Sequence, residues 1–234
     1  MSFLKRWFGG GIDLPPELLD RLAAWRALAD PATDQPFDAS RFVVVDVEST
    51  GLDLNKDRLI AIGAVAFVNG RIDLADSFEV VLRQDKVSDK DNILIHGIGG
   101  EAQRDGAPPA EGLLDFLGYL GKSPLVAFHV TFDETMIRRA MKDYLGFDFK
   151  HAWLDLAYVM PGLLPDYARK YKALDHWSNH FQIANYARHS ALADALATAQ
   201  LFLCALPLAR ERKSAHYKSL QELEKAQRWV SWGN

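Results

Sequence analysis

Three short segments carry acidic side chains in a fixed order. Asp46-Val47-Glu48-Ser49-Thr50-Gly51 follows the apolar run Phe42-Val43-Val44-Val45, Phe132-Asp133 opens an amphipathic stretch, and His189-Ser190-Ala191-Leu192-Ala193-Asp194 lies in an Ala/Leu-rich run. The groups recur as Asp, Glu, Asp, His, Asp. Carboxylates brought together must be neutralised. Two of them about 4 Å apart repel by roughly 4 kcal/mol at an effective dielectric of about 20. Four would protonate or splay apart without a counter-ion. Hard oxygen ligands suit Mg²⁺ or Mn²⁺. Two such ions can stabilise both the attacking and the leaving oxygen of a phosphodiester displacement. A neutral imidazole can accept the proton of the attacking water. Singly, Asp46 reads as a turn residue, Asp133 as a helix cap and His189 as a surface histidine. Jointly, in this order and context, the five indicate two-metal phosphodiester hydrolysis.

The elements that must position these groups are legible. Asp46 and Glu48 are two apart, so on a strand they share one face. The run from Arg41 to Val47 is β-branched and nearly all apolar, as in a strand covered on both sides. Leu59 to Val68 reads as a second strand. Asn69-Gly70 turns it into a third, Arg71 to Leu82. Leu125 to Phe128 reads as a short buried strand. Helical spacing marks Pro15 to Asp30, Pro109 to Leu120, Asp133 to Tyr144, Asp155 to Leu164, Leu174 to Phe181, Ser190 to Leu206 and the charged Tyr217 to Val230. A meander of strands followed by alternation with helices predicts an α/β fold with a mixed central sheet flanked by helices. His189, five before Asp194, is not a clean same-face partner and is expected on the loop before the helix.

The 234 residues allow one substantial core plus extensions, and the 49% hydrophobic and 25% charged composition is that of a globular protein. No apolar stretch approaching about 20 residues is evident, so no membrane partner is expected. Met1 to Gly9 lacks the apolar core of a signal peptide, and a cytoplasmic location follows. The single cysteine, Cys204, reads as a buried thiol. A formal net charge of −4 argues against a coat for long duplex. Three local basic groups are candidate phosphate contacts: Arg138-Arg139 with Lys142, Arg169-Lys170 with Lys172, and Arg210 with Arg212-Lys213. Each also reads as an ordinary solvated face.

From about Phe42 to Leu206 the sequence resembles the DEDDh branch of the DnaQ-like 3′–5′ exonucleases, whose fold is RNase H-like. Asp46 to Gly51 resembles that family's first motif, with Ser49 where Thr is usual. His189 to Asp194 resembles its third, and Ile95-His96-Gly97-Ile98 is similar to a family loop. In the middle motif Phe128 and His129 replace the common His and Asn. The resemblance implies that Asp46, Glu48, Asp133 and Asp194 hold two Mg or Mn ions and that His189 is the general base. It implies that Ser49, Thr50, Gly51 and Leu52 embrace the terminal nucleotide, with Leu52 against its base. It implies an exonuclease domain over 41–206, preceded by a helical extension and linker (1–40) and followed by a charged helical tail (207–234). The expected substrate is a single-stranded 3′ end, with DNA repair or proofreading as the main reading and RNA as the alternative. A DNA polymerase is a candidate partner. A catalytically silent binding module is the reading from a different class. Phe132 is expected in the core, His96 as structural, and Asp155 as a helix cap rather than a metal ligand.

Overall fold

The computed structural model describes residues 12–185 and 187–232. The stretch Met1 to Gly9, read above for a leader, lies outside them. Strand β1 (Arg41–Ser49) pairs antiparallel with β2 (Leu59–Val68), which turns at Asn69-Gly70 into antiparallel β3 (Arg71–Val81). On its other side β1 pairs in parallel with β4 (Leu125–Ala127), and β4 with β5 (Trp153–Asp155). The sheet order is β3-β2-β1-β4-β5, the mixed sheet expected.

Alternation along β1 divides the core. Val43, Val45 and Val47 face a cluster closed by α1 (Pro16–Arg26), α4 (Pro109–Leu120) and α5 (Val130–Leu145). Phe42 and Val44 face a second cluster closed by α6 (Leu156–Leu163), α8 (Ala191–Glu211) and α9 (Tyr217–Trp232). Asp46 and Glu48 continue the second face where apolar cover runs out. Shorter helices α2 (Lys90–His96), α3 (Gly100–Asp105) and α7 (Leu174–His180) fill the connections.

Gly63 brings α8 to the site. It pairs with Asp46 across β1–β2, and a Cβ there would collide with the backbone of Ala191 and Leu192. A glycine inside a strand permits such close backbone approach. The first turn of α8 therefore lies flush on β2, with Asp194 one turn further along.

Several elements differ from the sequence expectation. Strand β5 was not foreseen: its three residues run directly into α6, whose cap, Asp155, is the last residue of the strand. Helix α5 starts at Val130 rather than at Asp133. Helix α8 runs through Pro207 to Glu211, where Leu206 and Ala209 stay fully covered and hold the turn in place. At 21 residues α8 is long and apolar enough, by composition alone, to cross a bilayer. In this fold it packs against the sheet, with Phe202 against Phe42 and Phe67. Cys204, on α8, is half-buried rather than enclosed.

Candidate active site

Carboxylate oxygens of Asp46, Glu48 and Asp194 lie within 4.8 Å of one another. The strand supplies two ligand positions on one face, and the α8 contact at Gly63 supplies the third. Asp133 is not within that group. It is buried in the first turn of α5, which packs on the opposite side of the sheet, and it reaches the end of β1 from there.

The electrostatics follow from this crowding. Burial, then the charges of Asp133, Asp194 and Glu48, hold the Asp46 carboxyl well above the usual carboxylate range. Burial and the charge of Asp194 push Glu48 up to about 8. Asp133 is raised by burial first, with Asp155 and Glu48 adding to it, while hydrogen bonds from its own backbone and from Val47 oppose the shift. Like charges held out of water favour either a bound proton or a cation. A buried, all-oxygen, multiply anionic donor set fits a hard divalent ion.

Asp194 is fixed by the loop before α8. Its Oδ1 accepts from Asn185 Nδ2 and from Arg188 Nη1 at 2.8 Å, and its Oδ2 accepts from the His189 backbone N–H at 2.9 Å. Arg188 also grips both oxygens of Asp175, with Nε and Nη2 each at 3.2 Å. His189 adopts a left-handed φ of 63°, and the residue is exposed. It is tied to the site through its backbone N–H. Asn185 and Arg188 were not foreseen; charge complementarity close before a buried carboxylate was the available signal.

The segment after Glu48 is built as a tight loop. Ser49 Oγ donates to the Gly51 carbonyl at 2.6 Å, and Thr50 Oγ1 donates to Asp57 at 2.8 Å. Asp57 also accepts from Asp53 N at 2.8 Å and crowds Gly51 so closely that a side chain there would clash. Arg139 donates to the carbonyls of Leu54 and Asp57 from α5. Leu52 is left 87% exposed at the loop's tip. Asp57 was not singled out in the sequence, and Arg139, read there as a candidate phosphate contact, instead braces this loop through two carbonyls.

Neighbouring residues take the structural places expected of them. Asp155 caps α6 through Ala157 N at 3.0 Å. Its carboxylate also accepts from His129 N at 3.0 Å and from Arg228 of α9 at 2.9 Å. His129 is left-handed at the start of α5, so Asp155 pins the junction that carries Asp133. His96 is buried, with Nδ1 accepting from Ile98 N at 3.0 Å. Phe132 packs against the first core cluster.

Residues 43–202 match the RNase T family model, described as an exonuclease. The chain belongs to this exonuclease family, an enzyme family of nucleases. It is 32% identical over 190 residues to the DNA polymerase III subunit epsilon of Aquifex aeolicus, a match covering 79% of this chain and 90% of that protein. It is also 32% identical over 200 residues to the PolC-type DNA polymerase III of Thermotoga maritima, covering 86% of this chain and 14% of that polymerase. The chain therefore spans about a seventh of the length of that relative. Among solved structures, Escherichia coli exonuclease I in complex with a dT13 oligonucleotide superposes with a TM-score of 0.63 at 17% identity, over 74% of this chain and 42% of that one. Cell-death related nuclease 4 superposes with a TM-score of 0.64 at 14% identity, over 73% and 65%. The fold is the RNase H-like exonuclease fold.

Proposed function

We propose that this chain is a metal-dependent 3′–5′ exonuclease that releases nucleoside 5′-monophosphates from single-stranded DNA in repair or proofreading. The observation that carries this reading is the convergence of Asp46, Glu48 and Asp194 within 4.8 Å at the end of β1. Asp46, Glu48, Asp133 and Asp194 hold two Mg²⁺ or Mn²⁺ ions, which when bound supply charge stabilisation at the reacting phosphate. Ser49 to Leu52 form the seat of the terminal nucleotide, with Leu52 against its base. Asn185 and Arg188 fix the orientation of Asp194. The His189 imidazole, on an exposed residue anchored to Asp194 through its backbone, takes the proton of the attacking water. We place the enzyme in the cytoplasm, with a DNA polymerase as candidate partner. The polymerase III relatives and the oligonucleotide bound by exonuclease I favour DNA. RNA is the second reading, since a 2′-OH contact is what separates the two.

The test is hydrolysis of labelled single-stranded DNA and RNA with Mg²⁺ and with Mn²⁺. Mononucleotide release from the 3′ end and survival of a circular strand are expected. Equal degradation of linear and circular strands would make the enzyme an endonuclease. Complete inertness with both metals would leave a binding module.

A further inference from the structure

We propose that the segment from Pro165 to His180 carries the phosphate backbone of a single-stranded nucleic acid whose 3′ end lies in the acidic site, with Arg169, Lys170 and Lys172 as the phosphate contacts. The proposal rests on the exonuclease reading above and adds to it the path of the upstream strand.

The structure separates the three basic groups of the sequence. In the first, the Arg139 guanidinium is committed to the carbonyls of Leu54 and Asp57, and Asp148 shares the cavity lined by Arg138 and Lys142. In the third, Arg210 pairs with Asp38 at 2.7 Å and Arg212 donates to the Gly162 carbonyl. Arg210 also lies sixteen residues along α8 from Asp194, about 24 Å at the helical rise. Arg169, Lys170 and Lys172 are exposed, and among the described residues none enters an ion pair. Arg138 and Lys142 are likewise exposed and enter no ion pair among the described residues, but the first and third groups each commit an arginine to a carbonyl or a carboxylate, and the second commits none.

This group is also held in place and held close to the site. Tyr167 and Tyr171 stack at 5.1 Å, and Tyr171 meets the edge of buried Trp177 at 5.1 Å. The Lys170 ammonium lies 5.5 Å from the Tyr171 ring. The backbone N–H of Lys172 donates to His176 Nδ1 at 3.1 Å. The Lys172 carbonyl is 3.0 Å from His129 Nε2, four residues before Asp133. At the other end, Asp175 and Asp194 share Arg188. The three cations therefore belong to a segment that packs its own aromatic rings together and touches both the α5 and the α8 sides of the site. A cluster of carboxylates repels a polyanion, so cations at its margin must draw the strand in. A groove of fixed cations that follows the backbone is how sequence-tolerant single-strand binding is built.

The test uses the full chain and a 5′-fluorescein oligothymidylate with phosphorothioate linkages, in Ca²⁺, followed by anisotropy across a salt series. Each single-strand phosphate contact contributes about 0.7 to the slope of log Kd against log salt. The triple variant R169Q/K170Q/K172Q should lower that slope by about 2 and weaken binding at low salt by tenfold or more. R210Q/R212Q/K213Q changes net charge equally and should leave the slope as it is. If the first triple does not fold, K170Q and K172Q alone should each lower the slope by about 0.7. An unchanged slope, or an equal fall in both triples, would overturn the proposal. Hydrolysis of the p-nitrophenyl ester of thymidine 5′-monophosphate by the parent protein reports separately on the exonuclease reading. A parent inert towards that ester, with the slope change intact, would remove the exonuclease reading and keep the binding track.

Discussion

The two halves of the site are built on different principles. The strand half, Asp46 and Glu48, sits in the ladder of a central strand whose neighbours are buried on both sides. The loop half, Asn185 to His189, is positioned by side-chain hydrogen bonds to one carboxylate and includes an exposed left-handed residue. The strand half stores charge repulsion that core packing sustains. The loop half contributes the cation and the amide that quiet part of it. The difference teaches that the carboxylates of β1 are placed by the sheet itself, whereas Asp194 and His189 are placed by side-chain and backbone hydrogen bonds of the segment before α8.

The largest effect should come from breaking the strand half. Asp46→Asn removes a central anionic ligand while keeping the shape of the side chain. Several kcal/mol of transition-state stabilisation are lost, so kcat should fall by at least about 10³-fold. Because a repelled buried charge is deleted, the melting temperature should hold or rise. A variant within tenfold of parental kcat would show that the strand carboxylates do not carry the chemistry.

His189→Ala breaks the loop half alone. A general base contributes about 10²–10⁴-fold, so kcat should drop into that range. The backbone amide that holds Asp194 survives this substitution, so the metal-induced rise in melting temperature should match that of the parent. Loss of that rise would make His189 part of the ligand frame and erase the distinction between the halves.

Gly63→Ala tests the joint between them. The new Cβ meets the α8 backbone and must move Asp194 relative to Asp46. Displacement of about 1 Å at a catalytic group can cost about 10²-fold in rate, and overpacking costs about 1–3 kcal/mol of stability. Parental activity and parental melting together would mean that α8 can retreat without disturbing the site.

Much of this was readable before the structure. The strand face of Asp46 and Glu48 follows from a two-residue period, and the mixed sheet from a meander that gives way to alternation. The roles of Gly63 and Arg139 were not legible, because each depends on contacts to a backbone that only the assembled fold brings near; nor was that of Asp57, because an acidic residue in a polar loop reads as an ordinary turn residue. Gly63 did carry a signal, a lone glycine in an otherwise apolar strand. Strand β5 escaped because Trp153 to Asp155 runs without a break into α6, whose cap is the strand's last residue, so the helical pattern masks it. The basic face at Arg169 to Lys172 could not be told from its two competitors until the partners of Arg139, Arg210 and Arg212 were visible.

A smaller effect, in degrees of melting temperature, should report the charge stored in the strand half. Glu48 is held up to about 8, and Asp46 and Asp133 are also raised, in each case by burial first. Unfolded carboxylates titrate near about 4. Between about pH 4.5 and 8 the native state therefore binds more protons than the unfolded chain, and stability falls as pH rises through that window. Below it the native carboxyls are protonated and the penalty is absent. Without divalent ions, melting temperature should decline from about pH 5 to 8. Millimolar Mn²⁺, which binds the ionised cluster, should flatten the decline. Glu48→Gln should flatten it in part without metal. A profile that rises with pH would mean that the carboxylates are already neutralised by a partner such as Arg188.

Leu52→Ala should have the smallest effect and would sharpen the comparison by extending it to the substrate. Leu52 is 87% exposed on a loop braced by Asp57 and Arg139, so truncation leaves no cavity and stability should stay within about 0.5 kcal/mol. Complete burial of a leucine side chain is worth about 1.5–3 kcal/mol, and a base laid against one side covers only part of it. A loss of about 1 kcal/mol corresponds to roughly fivefold, and it should appear in KM with kcat nearly constant if the contact is the same in ground and transition states. The loss should also be insensitive to salt, unlike the loss expected at Arg169, Lys170 and Lys172, since no phosphate charge is involved. A large fall in kcat with unchanged KM would instead place Leu52 in the alignment of the scissile phosphate, and the loop that carries it would then belong with the catalytic frame of the strand half.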